Sequence, residues 1–133
     1  WAWGDNVQGA LGINSNVKQS SPTQIPGTTW TYIASGNYCG YAIKTDGTLW
    51  TWGIGNYGDL GQNDVVTRSS PVQIPGTQWN QITYSMATKT DNTLWGWGIN
   101  NNHAINYSSP VQTPGTNWSG EIAAYNTHFA IKA

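Results

Sequence analysis

Tryptophan placement constrains this chain more than any other feature, because all nine tryptophans fall into one frame that occurs three times. Trp1, Trp3 and Gly4 recur as Trp50, Trp52 and Gly53, and again as Trp95, Trp97 and Gly98. A third tryptophan in each copy, Trp30, Trp79 or Trp118, follows a Pro-Gly-Thr turn at Pro26-Gly27-Thr28, Pro75-Gly76-Thr77 or Pro114-Gly115-Thr116. All six prolines stand in the Ser-Ser-Pro and Pro-Gly elements of that frame. A period of roughly 45–50 residues means a solenoid or a propeller, in which a unit too small to bury its apolar face alone stacks on its neighbours. The copies divide the chain into repeats 1–49, 50–94 and 95–133.

The middle copy is the most legible. Leu49-Trp50-Thr51-Trp52-Gly53 alternates large and small residues, which predicts a half-buried strand with both indoles on one face. Gly55 to Gly61 is too rich in glycine for a regular element and reads as a loop. Pro71 and Pro75 bracket Val72–Ile74 and limit it to a short edge strand, since proline removes a ladder donor. Trp79–Ile82 and Met86–Lys89 are further strands, as is Cys39–Lys44 in the copy before. Asp46-Gly47 and Asp91-Asn92 read as two-residue hairpin turns. Each unit thus holds about four short antiparallel strands, and no helical periodicity of useful length occurs.

Composition excludes several function classes. Only 8% of residues are charged and the net charge is −1, so no basic stripe supports nucleic-acid binding. The single Cys39 rules out an intrachain disulfide framework and reads as a small buried residue. No apolar run approaches the ~20 residues of a membrane-spanning helix. The chain does not start with Met, its one Met being Met86, and reads as a processed or partial product. His103 and His128 have no Cys, Asp or Glu at ligand-like spacing, so neither a metal nor a catalytic residue is expected. Asp59 and Asp64 share a loop, but their spacing matches no calcium motif. No helix is expected after Gly53-Ile54-Gly55, as a dinucleotide fingerprint needs, and no cofactor is expected.

Written out, the frame is Trp-x-Trp-Gly, Gly-x-Leu-Gly, Ser-Ser-Pro-Val-Gln-Ile-Pro-Gly-Thr and Ala-Ile-Lys-Thr-Asp-Gly-Thr-Leu-Trp. It stands most clearly at Trp50–Gly53, Gly58–Gly61, Ser69–Thr77 and Ala42–Trp50. In this it resembles the regulator of chromosome condensation repeat family over all 133 residues. The resemblance implies an all-β fold, a β-propeller of four-stranded antiparallel blades, usually seven-bladed, with wording closer to bacterial and viral members than to the nuclear exchange factor. The family often carries His three residues before the Ala of Ala-Ile-Lys, where this chain has Cys39 and Thr127. In the third copy Gly-x-Leu-Gly has become His103-Ala104-Ile105-Asn106. Three repeats do not close a ring. Trp1–Gly4 and Ala130–Lys132 are complementary halves of one blade, to be completed by further sequence or by further copies.

Trp-x-Trp strands can stack sugars, but all nine indoles obey the frame, as packing between blades requires. Trp1, Trp3, Trp30, Trp50, Trp52, Trp79, Trp95, Trp97 and Trp118 are therefore expected to be structural. Recognition must break the symmetry of the repeat. The binding candidates are accordingly Asn6, Gln8, Asn56, Tyr57, Asp59, Asn101, Asn102, His103 and Tyr107 in the variable loops. Tyr38, Tyr84 and Tyr125 also leave the frame as candidates for exposed contact. The functional expectation is a non-enzymatic scaffold for protein or glycan contact, of the virion tail-fibre or extracellular kind, with no nucleic-acid partner and no membrane insertion. The alternative is an exchange factor-like or other intracellular protein-interaction propeller.

Overall fold

The computed structural model describes residues 1–98, 107–124 and 127–132, and among them it contains strands and loops and no helix. Strands β1 (Ala2–Gly4) and β2 (Gln19–Thr23) form a two-stranded sheet. The strands β3 (Trp30–Gly36), β4 (Cys39–Lys44), β5 (Leu49–Gly53) and β6 (Arg68–Gln73) form a four-stranded antiparallel sheet in chain order. A second such sheet holds β7 (Trp79–Thr83), β8 (Met86–Lys89), β9 (Leu94–Gly98) and β10 (Tyr107–Gln112). The pair β11 (Trp118–Ala124) and β12 (Thr127–Lys132) ends the array. Each full sheet takes two strands from one sequence copy and two from the next, so the covalent repeat and the blade are out of phase. Neighbouring copies are thereby stitched together.

Three local readings change. Strand β6 begins at Arg68 and runs through Pro71, because it is an edge strand and its ladder with β5 is irregular between Gly53↔Arg68 and Thr51↔Val72. A proline without a donor is tolerated at that place. The hairpins have three-residue loops. Lys44 N–H donates to Thr48 O at 3.0 Å and Gly47 N–H to Lys44 O at 2.9 Å, with positive φ only at Gly47 (74°), and Asn92 (φ 60°) repeats the form. This is a type I turn with a bulge, favoured here because Asp46 caps the Thr48 amide at 3.0 Å. Finally, β5 is buried at four of its five residues rather than half-buried, because the first full sheet packs against β1–β2 on one side and the second full sheet on the other.

The main core lies between the two full sheets. Tyr41, Ile43 and Leu49 of the first meet Trp79, Ile82, Ala87 and Trp97 of the second, with Leu60 and Ile74 between them. A smaller core, Ile25, Ala42 and Trp52, joins β1–β2 to the first full sheet. Indoles fasten the sheets. Trp52 Nε1 donates to Ala10 O and Trp97 Nε1 to Asp59 O, both at 2.9 Å, so the inner tryptophan of each blade bonds a loop of the blade before. The glycines facing those indoles, Gly12 and Gly61, each have φ +66°, and a Cβ at Gly12 would lie 2.8 Å from the Trp52 ring.

Candidate interaction site

Antiparallel order sorts the connections onto two faces. The Asp46-Gly47 and Asp91-Asn92 hairpins and the Pro-Gly-Thr connections lie at one end of the strands. Loops 5–18 and 54–67 and the 37–38 turn lie at the other.

The second face is braced from below. Asn6 is buried, donates from Nδ2 to Ser15 O at 2.7 Å and Val17 O at 3.1 Å, and accepts the Leu11 amide at 2.9 Å. Asn14 N–H donates to Ser69 O at 2.7 Å and Asn63 N–H to Ser108 O at 2.6 Å, tying each loop to the Ser-Ser-Pro strand of the next copy. Asp64 pairs with Arg68 at 2.7 Å and accepts the Val66 amide, which holds its carboxyl below the ordinary range. Asp59 is buried, and its carbonyl accepts both the Tyr41 hydroxyl at 3.0 Å and the Trp97 indole.

These contacts sort the candidates. Asn56 and Tyr57 are exposed at the loop tip, whereas Gln8 and Tyr107 are half-buried. Asn6 and Asp59 face inward and shape the loops that carry the others. Asn101, Asn102 and His103 lie outside the described residues, as does Tyr125. Tyr38 is exposed, but Tyr84 is half-buried against Tyr41 with ring centroids 6.2 Å apart. The polar-residue reading passed over Val7 and Val17 on loop 5–18 and Val65 and Val66 on the loop of Tyr57, all more than half exposed. The available signal was valine in otherwise polar loops, with Val17 and Val66 at the same place in two copies, three residues before Ser-Ser-Pro.

The tryptophans divide by depth. Trp52, Trp79 and Trp97 are buried, Trp30, Trp50, Trp95 and Trp118 half-buried, and Trp1 and Trp3 are 72% and 61% exposed because nothing among the described residues covers β1 on its far side. Cys39 is buried, donates to Ile54 O at 3.2 Å, and is pushed up to about 12 by desolvation and then by the Asp59 charge. Such a thiol is no nucleophile at neutral pH. Among the described residues, no three His, Cys, Asp or Glu side chains are grouped to hold a metal ion.

Staggered four-stranded sheets, stacked through indoles and bearing variable loops on one face, define a β-propeller repeat protein. The Regulator of chromosome condensation (RCC1) repeat matches residues 1–43 and 46–86, and the chain belongs to that family. Solved structures agree on the fold. The chain is similar to Prp20p from Saccharomyces cerevisiae at 18% identity and TM-score 0.81, covering 98% of this chain and 38% of that one. The same yeast protein bound to Kap60 gives 17%, 0.77, 98% and 37%. Human WBSCR16 gives 21%, 0.72, 85% and 32%. The chain thus spans about a third of the length of these structures. No curated protein matches it.

Proposed function

We propose that the chain is a protein-binding part of an RCC1-type propeller, acting as a non-enzymatic scaffold whose loops 5–18 and 54–67 contact a protein partner. The observation that carries the reading is the set of exposed apolar tips, Val7, Val17, Tyr57, Val65 and Val66, standing on loops whose backbones are fixed from below. A rigid base lowers the entropy lost on binding, and exposed valine and tyrosine with few charges suit a protein surface. The yeast structures point the same way: Prp20p is described with Gsp1p and histones as binding partners, and yeast RCC1 bound to Kap60. Those relatives favour the protein-interaction alternative. They lend no support to a virion or extracellular setting or to a glycan ligand.

The test is affinity capture from the native lysate with the wild-type chain, a Tyr57→Ala/Val65→Ser/Val66→Ser variant and a control altered at Thr28 and Thr77 on the opposite face. Partners lost only with the loop variant support the reading. Partners lost only with the control would move the site to the hairpin face, and glycan-array binding without protein capture would replace the protein with a sugar.

A further inference from the structure

Beyond β1, the indole N–H groups fall into three sets. The inner tryptophans donate to a loop carbonyl, Trp52 to Ala10 O and Trp97 to Asp59 O, and the outer ones to a turn hydroxyl, Trp50 to Thr48 and Trp95 to Thr93. The tryptophan after each Pro-Gly-Thr turn does neither. Nε1 of Trp30, Trp79 and Trp118 is buried without a hydrogen-bond partner among the described residues. A buried donor left unpaired is costly and rare in native proteins, and one that recurs at the same place in three copies is a property of the repeat frame.

A second donor stands beside it. Lys89 Nζ lies 4.7 Å from the Trp79 ring and 4.5 Å from the Trp95 ring, and among the described residues the one ion pair is that of Asp64 with Arg68. Two indoles therefore hold in place an ammonium that has no carboxylate within salt-bridge reach. Both donors face one point. A Cβ placed on Gly76 would stand 3.6 Å from Lys89 Nζ and 3.9 Å from Trp79 Nε1, and one on Gly115 would stand 3.7 Å from Lys132 Nζ and 3.8 Å from Trp118 Nε1. Those contacts leave room for an atom. Both glycines are exposed, with φ of +96° and +101°, a conformation that keeps side chains out and the space open. At Gly27 the space is narrower, since a Cβ there would lie 3.0 Å from the Trp30 ring.

We propose that the exposed side of Gly76 binds a carboxylate between Trp79 Nε1 and Lys89 Nζ, and that Gly115, Trp118 and Lys132 form a second site of the same kind. An oxygen there accepts from the buried N–H and pairs with the ammonium, which gives each donor the acceptor that the fold leaves out. A single negative charge suits the site better than a phosphate. Asp91, held below the ordinary carboxylate range by Thr93 first and by Lys89 less, stays ionised near the same ammonium, and its charge disfavours a dianion. The sites lie on the hairpin face, so the proposal stands independently of binding by loops 5–18 and 54–67.

The indole N–H resonances of the chain, assigned through variants such as Trp79→Phe, give the test with its own controls. Sodium acetate titrated to about 100 mM should move the Trp79 N–H signal downfield, while sodium chloride at equal ionic strength leaves it in place. The Trp52 and Trp97 signals should stay fixed in both, because those groups are already bonded. Lys89→Met should raise the acetate concentration needed at Trp79 about ten-fold, and Lys89→Arg, which keeps the charge, should preserve the response. Unmoved Trp52 and Trp97 signals in each variant show that the blades are intact. A Glu-rich peptide that produces the same shift at lower concentration assigns the carboxylate to a protein partner, since linked carboxylates reach more than one blade, and a response to acetate alone assigns it to a small acid. An equal shift in chloride, no shift in acetate, or a full response in Lys89→Met overturns the proposal.

Discussion

Thr48 accepts the indole N–H of Trp50 at 2.9 Å and gives its own hydroxyl proton to Asp46 at 2.6 Å, and Thr93 does the same between Trp95 and Asp91. The turn aspartate thereby fixes the outer tryptophan over its lysine. The Thr48 hydroxyl, and then its amide, hold the Asp46 carboxyl below the ordinary carboxylate range, and Thr93 lowers Asp91 in the same order. A carboxyl lowered by folding adds stability above its unfolded value near ~3.9, and loses it as pH falls through the lowered value. Thermal melts from pH 7 to 2.5 should therefore fall across the acid end, and Asp46→Asn/Asp91→Asn should flatten that fall. An unchanged acid limb would assign it to other groups. At Cys39 the shift runs the other way, from 9.0 to about 12, by burial. Its alkylation at pH 8 should be slower than in the unfolded chain by about a thousand-fold, because the thiolate is the reacting form. Alkylation at the unfolded rate would mean that β4 opens readily.

Strands with a strong apolar rhythm were legible before any coordinates: β4 runs Cys39–Lys44 and β8 Met86–Lys89, the limits that alternation and turn chemistry imply. Strand β6 was not, because a proline excluded from a central strand is admitted at a bulged edge, and edge position is a property of the sheet. The candidate loops were legible too, as the places where the copies diverge. Which side chain in a loop points outward was not legible, because Asn6 and Asn56 are the same residue type and only the fold makes the first a brace for Ser15 and Val17. Nor does the repeat frame separate Trp52 from Trp3, whose difference lies in the neighbouring strand. Trp52→Ala, emptying a core position that is 2% exposed, should cost about 3–5 kcal/mol in urea unfolding. Trp3→Ala in dilute solution should stay within about 0.5 kcal/mol, as for other exposed positions. Equal losses at both would mean that Trp3 is covered in the single chain.

In an array whose units touch only their neighbours, stability is a sum of unit and interface terms, so protection should follow the interfaces rather than the sequence copies. The interface between the two full sheets buries Tyr41, Leu49, Ile74, Ile82 and Trp97 completely or almost so, whereas the interface of β1–β2 with the first sheet holds three buried residues and leaves Ile33 in solvent. Amide exchange should therefore be slowest in β4, β5, β8 and β9 and faster in β1 and β3. Exchange measured by mass spectrometry checks this order, because amides that open only with an interface between sheets exchange at the rate at which that interface opens. Protection in β1 equal to that in β4 and β5 would mean that the burial between sheets does not set the barrier to opening.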